Sequence, residues 1–185
     1  MTYGGPSGVL VMLTKINVLR IVADHFRTLK DYRTNKLSFG DLIVFCALPL
    51  LIAGALSWWG KVLSVDTINV LIQAFAILVG LLLNLLVLVF TVIRRETSTA
   101  ANPNLALQEE TKLTVLKQTF ANLSYSVLLG LVIALLLLLA LRHNSTVVGL
   151  ATFFIYAGSI HFVLTLLMVL KRVHSLLGRE FDGAT

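Results

Sequence analysis

Four apolar stretches decide what this chain can fold into: Leu42 to Trp59, Ile68 to Ile93, Leu123 to Leu141 and Val147 to Leu170. A run of about 18 or more apolar residues reaches across the ~30 Å hydrocarbon core as an α-helix. Only helices and closed barrels satisfy every backbone donor and acceptor at that depth. Composition agrees, since 57% of the 185 residues are hydrophobic, 13% are charged and the mean hydropathy is +0.91. The expected fold is an all-α membrane protein with four transmembrane helices. Its first crossing is the shortest and is interrupted by Pro49, which membrane helices tolerate, and Trp58 and Trp59 suit the aromatic belt at its outer end.

Charge sets the expected orientation. Residues 1 to 41 hold six of the 15 Lys and Arg (Lys15, Arg20, Arg27, Lys30, Arg33, Lys36), the connection Arg94 to Asn122 holds four and the tail three, whereas the short hairpins around Lys61 and Arg142 hold one each. Thirteen against two places both termini and the middle connection in the cytoplasm. The chain then divides into a basic cytoplasmic helix (1–38), a first transmembrane hairpin (39–93), a cytoplasmic connection with a helical extension (94–122), a second hairpin (123–170) and a tail (171–185). No cleavable signal peptide is expected, because the stretch Val9 to Leu13 is too short and lacks a basic region before it. The net charge of +6 is explained by this topology and by attraction to anionic lipid, with nucleic acid as a second reading.

The two halves invite comparison. Asn84 stands ten residues before Arg94-Arg95 and His161 ten before Lys171-Arg172, which at 1.5 Å per residue puts both side chains about 15 Å in, near the midplane. Gly80 and Gly158 precede them. A parallel 2+2 helix repeat about the membrane normal is one arrangement consistent with this.

In the cytoplasm, spacings of three and four predict a helix from about Leu13 to Arg33, with Ile16, Leu19, Val22, Phe26 and Leu29 on its apolar face. Its other face alternates in sign, Arg20 with Asp24 and Arg27 with Asp31, as a salt-bridged solvated surface does. Lys15, Lys30, Arg33 and Lys36 are left over and could hold an anion or lipid headgroups. Further on, Asn102-Pro103 marks a helix start, and Leu113, Leu116, Phe120 and Leu123 carry one apolar face into the third crossing. Neither cytoplasmic piece is large enough to bury a core alone.

Chemistry is sparse. The four histidines (His25, His143, His161, His174) fall on different sides of the membrane, and no His-x-x-x-His, Cys-x-x-Cys, paired-carboxylate, Gly-x-Ser-x-Gly or phosphate-cradling glycine pattern occurs. An enzyme is not expected, nor is a cofactor or a metal site. Cys46 is the single cysteine, so no disulfide framework is available. Charge-coupled transport would bury an acidic or basic group near the midplane. Here His161 is the one titratable group at that depth.

One stripe stands out. Asn69, Gln73, Gly80, Asn84 and Thr91 fall within roughly 60° of arc on the second crossing at 100° per residue. Lipid offers such groups no partner, so the stripe must face protein or water. Either it packs against neighbouring helices, with Gly80 permitting close approach, or symmetric copies bring it around an axis as a pore lining. His161 joins it as a candidate for the same polar layer.

Asn17 to Tyr32 (NVLRIVADHFRTLKDY), Leu37 to Pro49 (LSFGDLIVFCALP) and Leu81 to Val89 (LLLNLLVLV) resemble a recurrent group of small bacterial multi-spanning membrane proteins. Proteins of this build also resemble the membrane effectors of phage-defence systems, including the Hailong type. That resemblance implies a self-assembling inner-membrane channel, held shut by an oligodeoxyadenylate that a partner nucleotidyltransferase makes and opened when phage exonuclease destroys it. It also implies Arg20, Arg27, Lys30, Arg33, Lys36, Arg94 and Arg95 as anion or oligonucleotide ligands, with salt-dependent phosphate contacts. Aromatics for base stacking on that side are few: Phe26, Tyr32, Phe39 and Phe120. The expected function is thus a homo-oligomeric channel-type effector that depolarises the membrane. The competing class is a non-conducting anchor that docks a soluble partner or anionic lipid.

Overall fold

The computed structural model describes residues 18–28, 40, 43–60, 63–99, 106–142 and 145–182, and among them there is no strand. The elements are α1 (Val18–Arg27), a π-helical turn (Ile43–Ala47), α2 (Leu48–Trp58), α3 (Val65–Thr99), α4 (Ala106–Ala140) and α5 (Ser145–Asp182). Within the last three, Val65–Arg95, Lys112–Ala140 and Gly149–Ser175 are long and apolar enough to cross a membrane. The apolar segment Ile43–Trp58 is shorter.

Local chemistry sets the ends of the helices. Gly60, at φ 66°, takes the left-handed conformation that closes α2, and its N–H donates to Ser57 O at 3.1 Å. Four residues later Ser64 caps α3, its Oγ accepting from Thr67 N at 3.2 Å, and Asp66 sits in the first turn where the helix dipole favours a negative charge.

The second of the three long helices, α4, is the hub. It packs against α3, α5 and α1, while α2 and the π turn pack on α5. Ile68, Phe75, Val79, Leu82 and Val89 of α3 meet Leu123, Val127, Ile133 and Leu137 of α4, and Ile155, Phe162 and Val169 of α5 close the core. For helices that cross a membrane, lipid tails are as apolar as leucine, so packing contacts hold them together. Glycines supply the close approach. A Cβ on Gly130 would lie 2.7 Å from Val79 Cγ2, and one on Gly158 would lie 3.1 Å from Ile133 Cγ1. Phe75 and Phe162 meet edge to face beside Gly130, with ring centroids 5.3 Å apart.

This packing differs from a parallel 2+2 repeat. Two equivalent halves would each form a packed hairpin, and α4 and α5 do so, but α2 makes no contact with α3 and sits on α5 instead. The physical reason lies just before α2: the π turn carries a backbone carbonyl that a side chain of α5 satisfies.

Candidate functional site

That carbonyl belongs to Phe45. Pro49 has no N–H, and the group it fails to engage in a regular α-helix is the carbonyl four residues back. The backbone widens to a π turn over Ile43–Ala47, and His161 Nδ1 of α5 lies 2.6 Å from Phe45 O. A carbonyl can only accept, so Nδ1 carries the proton and donates. The other nitrogen of the neutral ring, Nε2, must then accept, and Tyr125 OH of α4 donates to it at 2.9 Å. Three elements thereby fix one tautomer.

The network continues to α1. Tyr125 stacks on His25, centroids 3.9 Å apart and planes within 6°, and His25 stands edge-on to His161 at 5.9 Å. His25 is fully buried and its Nδ1 donates to Asn122 Oδ1 at 2.9 Å. Thr28 Oγ1 lies 2.8 Å from the same amide oxygen and 2.7 Å from His25 O, and its single proton serves one of them at a time. Arg172 of α5 donates from a guanidinium nitrogen to Thr28 O at 2.9 Å, a cation placed at the carbonyl end of α1. Burial pushes the His25 imidazole down from 6.5 to about 4, against the pull of the Asn122 hydrogen bond, with His161 and Arg172 adding to the depression. His25 Nε2 and Asn122 Nδ2 are buried without a hydrogen-bond partner among the described residues.

Other buried polar groups nearby need no such partner. Thr119, Ser126 and Thr165 each donate to the carbonyl four residues back on their own helix, to Val115, Asn122 and His161 respectively. The long-range polar contacts are therefore concentrated in His25, Thr28, Asn122, Tyr125, His161 and Arg172. They tie α1 to α4 and α5, and α5 to the turn before α2, through neutral hydrogen bonds and one buried-edge cation.

The apolar face expected on α1 is rotated. Leu19 stands 80% exposed, while His25 is the fully buried residue. On that side His25 makes its hydrogen bond to Asn122 and its stack on Tyr125. Ile16 and Leu29 lie outside the described residues.

The stripe on α3 faces outward. Asn69, Gln73, Gly80, Asn84 and Thr91 are all exposed, and a Cβ on Gly80 would meet nothing within 4 Å. On a helical wheel the stripe lies roughly 150° from the face that Phe75, Val79, Leu82 and Val89 present to α4. Thr91 Oγ1 satisfies itself on Leu88 O at 2.7 Å. No partner among the described residues meets the amides of Asn69, Gln73 or Asn84. Among the described residues, packing within one chain is therefore not what the stripe serves. His161 does not join it, since its partners are Tyr125 and Phe45 and the stripe faces away from the helices that carry them.

Of the anion candidates, Arg20 and Arg27 both reach Asp24, at 3.8 and 3.3 Å. Arg94 and Arg95 are exposed near the end of α3. Lys30, Arg33 and Lys36 lie outside the described residues, as does Asp31. Asn122, Tyr125 and Thr28 were missed by sequence reasoning. Asn122 carried a faint signal, an amide at the threshold of an apolar run, but nothing in the chain paired it with a residue 97 positions away. Comparison with family models, with curated proteins and with solved structures finds no match.

Proposed function

We propose that this chain is a non-enzymatic subunit of a homo-oligomeric channel of the bacterial inner membrane, gated from the cytoplasm through α1. The observation that carries the reading is the outward stripe. An amide with no partner in hydrocarbon costs several kcal/mol, and α3 presents three, at Asn69, Gln73 and Asn84, on the face away from its own bundle. Copies of the chain around an axis give these amides either each other or a column of water, and the open surface at Gly80 lets the helices come close.

A fourth crossing completes the topology. Ile43–Trp58 spans about 24 Å at helical rise, short of the full core, with exposed Trp58 and Trp59 at its outer end to sit in the headgroup region. Charge supports it: the six basic residues before Asp41 and the four between Arg94 and Asn122 share a side only if two crossings separate them. Both termini are then cytoplasmic. The contact of α1 with the bundle rests on a handful of hydrogen bonds, the form of attachment a ligand or partner could release. In the anti-phage setting that the resemblance implies, that ligand is an oligonucleotide and Arg94 and Arg95 are its exposed contacts.

Replacing Gln73 and Asn84 together by Leu tests the channel. Ion flux in liposomes, and any toxicity on expression, should fall at least tenfold while the oligomer seen by cross-linking persists. Loss of the oligomer itself would instead make the stripe an assembly surface of a non-conducting anchor, and undiminished flux would take the stripe out of the conducting path.

A further inference from the structure

The cytoplasmic end of α5 carries one continuous stripe that changes character along its length. Leu164, Leu167 and Met168 are followed on the same face by Lys171, Arg172 and Ser175, at the spacings of three and four that align residues on a helix. The change falls where the apolar stretch ends, so the stripe is greasy where acyl chains lie and cationic where headgroups begin. It forms one wall of a groove of about 480 Å³. Val115 and Gln118 of α4 form the opposite wall, and Phe45 and Thr28 contribute to the lining.

We propose that this groove seats one anionic phospholipid, its phosphate between Lys171 and Arg172 and the start of an acyl chain along Leu164, Leu167 and Met168. The volume lies within the roughly 300–1,000 Å³ of small-molecule sites. Leu167 is 55% exposed on the open side, an apolar surface that a lipid chain covers and a soluble anion leaves bare. Among the described residues Phe45 is the one aromatic in the lining, fewer than a stacked oligonucleotide uses. Arg172 is already anchored by its bond to Thr28 O, which places the cationic rim directly beside the end of α1. A headgroup here touches the same arginine that holds α1 to the bundle.

The test uses the full chain reconstituted in equimolar phosphatidylglycerol and phosphatidylcholine, extracted in mild detergent and weighed by native mass spectrometry. One phosphatidylglycerol per chain is expected in preference to phosphatidylcholine. Lys171→Glu should reduce that adduct by about fivefold or more, the worth of one basic residue at an anionic surface. Arg142→Glu, in the exposed turn after α4, should leave it unchanged. Equal retention of the two lipids, or an adduct indifferent to Lys171→Glu, would overturn the proposal. So would displacement of the lipid by excess inorganic phosphate, which would assign the rim to a soluble anion. Matching thermal unfolding of the variants separates a lost site from a lost fold.

Discussion

His25 shows how one side chain can decide the setting of a helix. It gives up solvation to donate to Asn122 and stack on Tyr125, and the burial that results depresses its affinity for protons. The sign follows from linkage: released into water, the ring titrates near 6.5, while docked it titrates near 4, so the released state binds more protons between those values. The contribution of His25 to docking of α1 should be fully present above pH 6.5 and be lost as pH falls toward 4. The docking constant should drop by up to about tenfold per pH unit across that window. A spin label at the exposed Ala23 position, in a Cys46→Ala background, should become more mobile over that range, and His25→Gln should abolish the change. Constant mobility in the unsubstituted chain would show that the network does not hold α1 through a neutral imidazole.

Among the elements, the π turn before α2 explains where α2 goes. Pro49 leaves the Phe45 carbonyl without its helical donor, and His161 supplies one from α5. His161→Phe should destabilise the bundle by about 1–3 kcal/mol for each group it orphans, Phe45 O and Tyr125 OH. Pro49→Ala restores an N–H at the right spacing, so the same histidine substitution should cost less in that background. Unfolding of the four combinations in mixed micelles measures the coupling. Strict additivity would mean that the proline and the histidine act separately and that α2 is held on α5 by apolar contacts alone.

For the molecule as a whole, the difference between the glycines is informative. Gly130 and Gly158 lie against side chains of neighbouring helices within the chain, whereas Gly80 faces open space. Gly80→Leu should therefore leave the unfolding of the single chain within about 0.5 kcal/mol of the original, as a substitution away from packed features does. If copies meet along the α3 stripe, the same substitution should shift the chain from oligomer to monomer in analytical ultracentrifugation in detergent. An oligomer insensitive to Gly80→Leu would place the contact between copies on another face.

Apolar length and hydropathy are properties of consecutive residues, so the all-helical class and three long apolar helices were legible in the chain directly. The polar stripe was legible too, because Asn69, Gln73, Gly80, Asn84 and Thr91 share one helix and a fixed angle per residue defines their common face. What that face looks toward was not, since direction depends on which side of α3 the residues of α4 occupy. The rotation of α1 was misjudged at Leu19 for the same reason: apolar spacing describes a helix in isolation, and His25 finds its partners 97 and 100 residues downstream. The spacing to Lys171 puts His161 near the midplane, but its partners, Tyr125 and the Phe45 carbonyl, lie within three residues of the starts of their apolar stretches and His25 of α1 stands beside it, so its level was set by the packing of α4 and the π turn on α5. Sequence alone determined the helices and the chemistry each one carries. Tertiary structure decided which faces meet, because hydrogen bonds and close packing act over a few ångströms between residues that the chain separates by many turns.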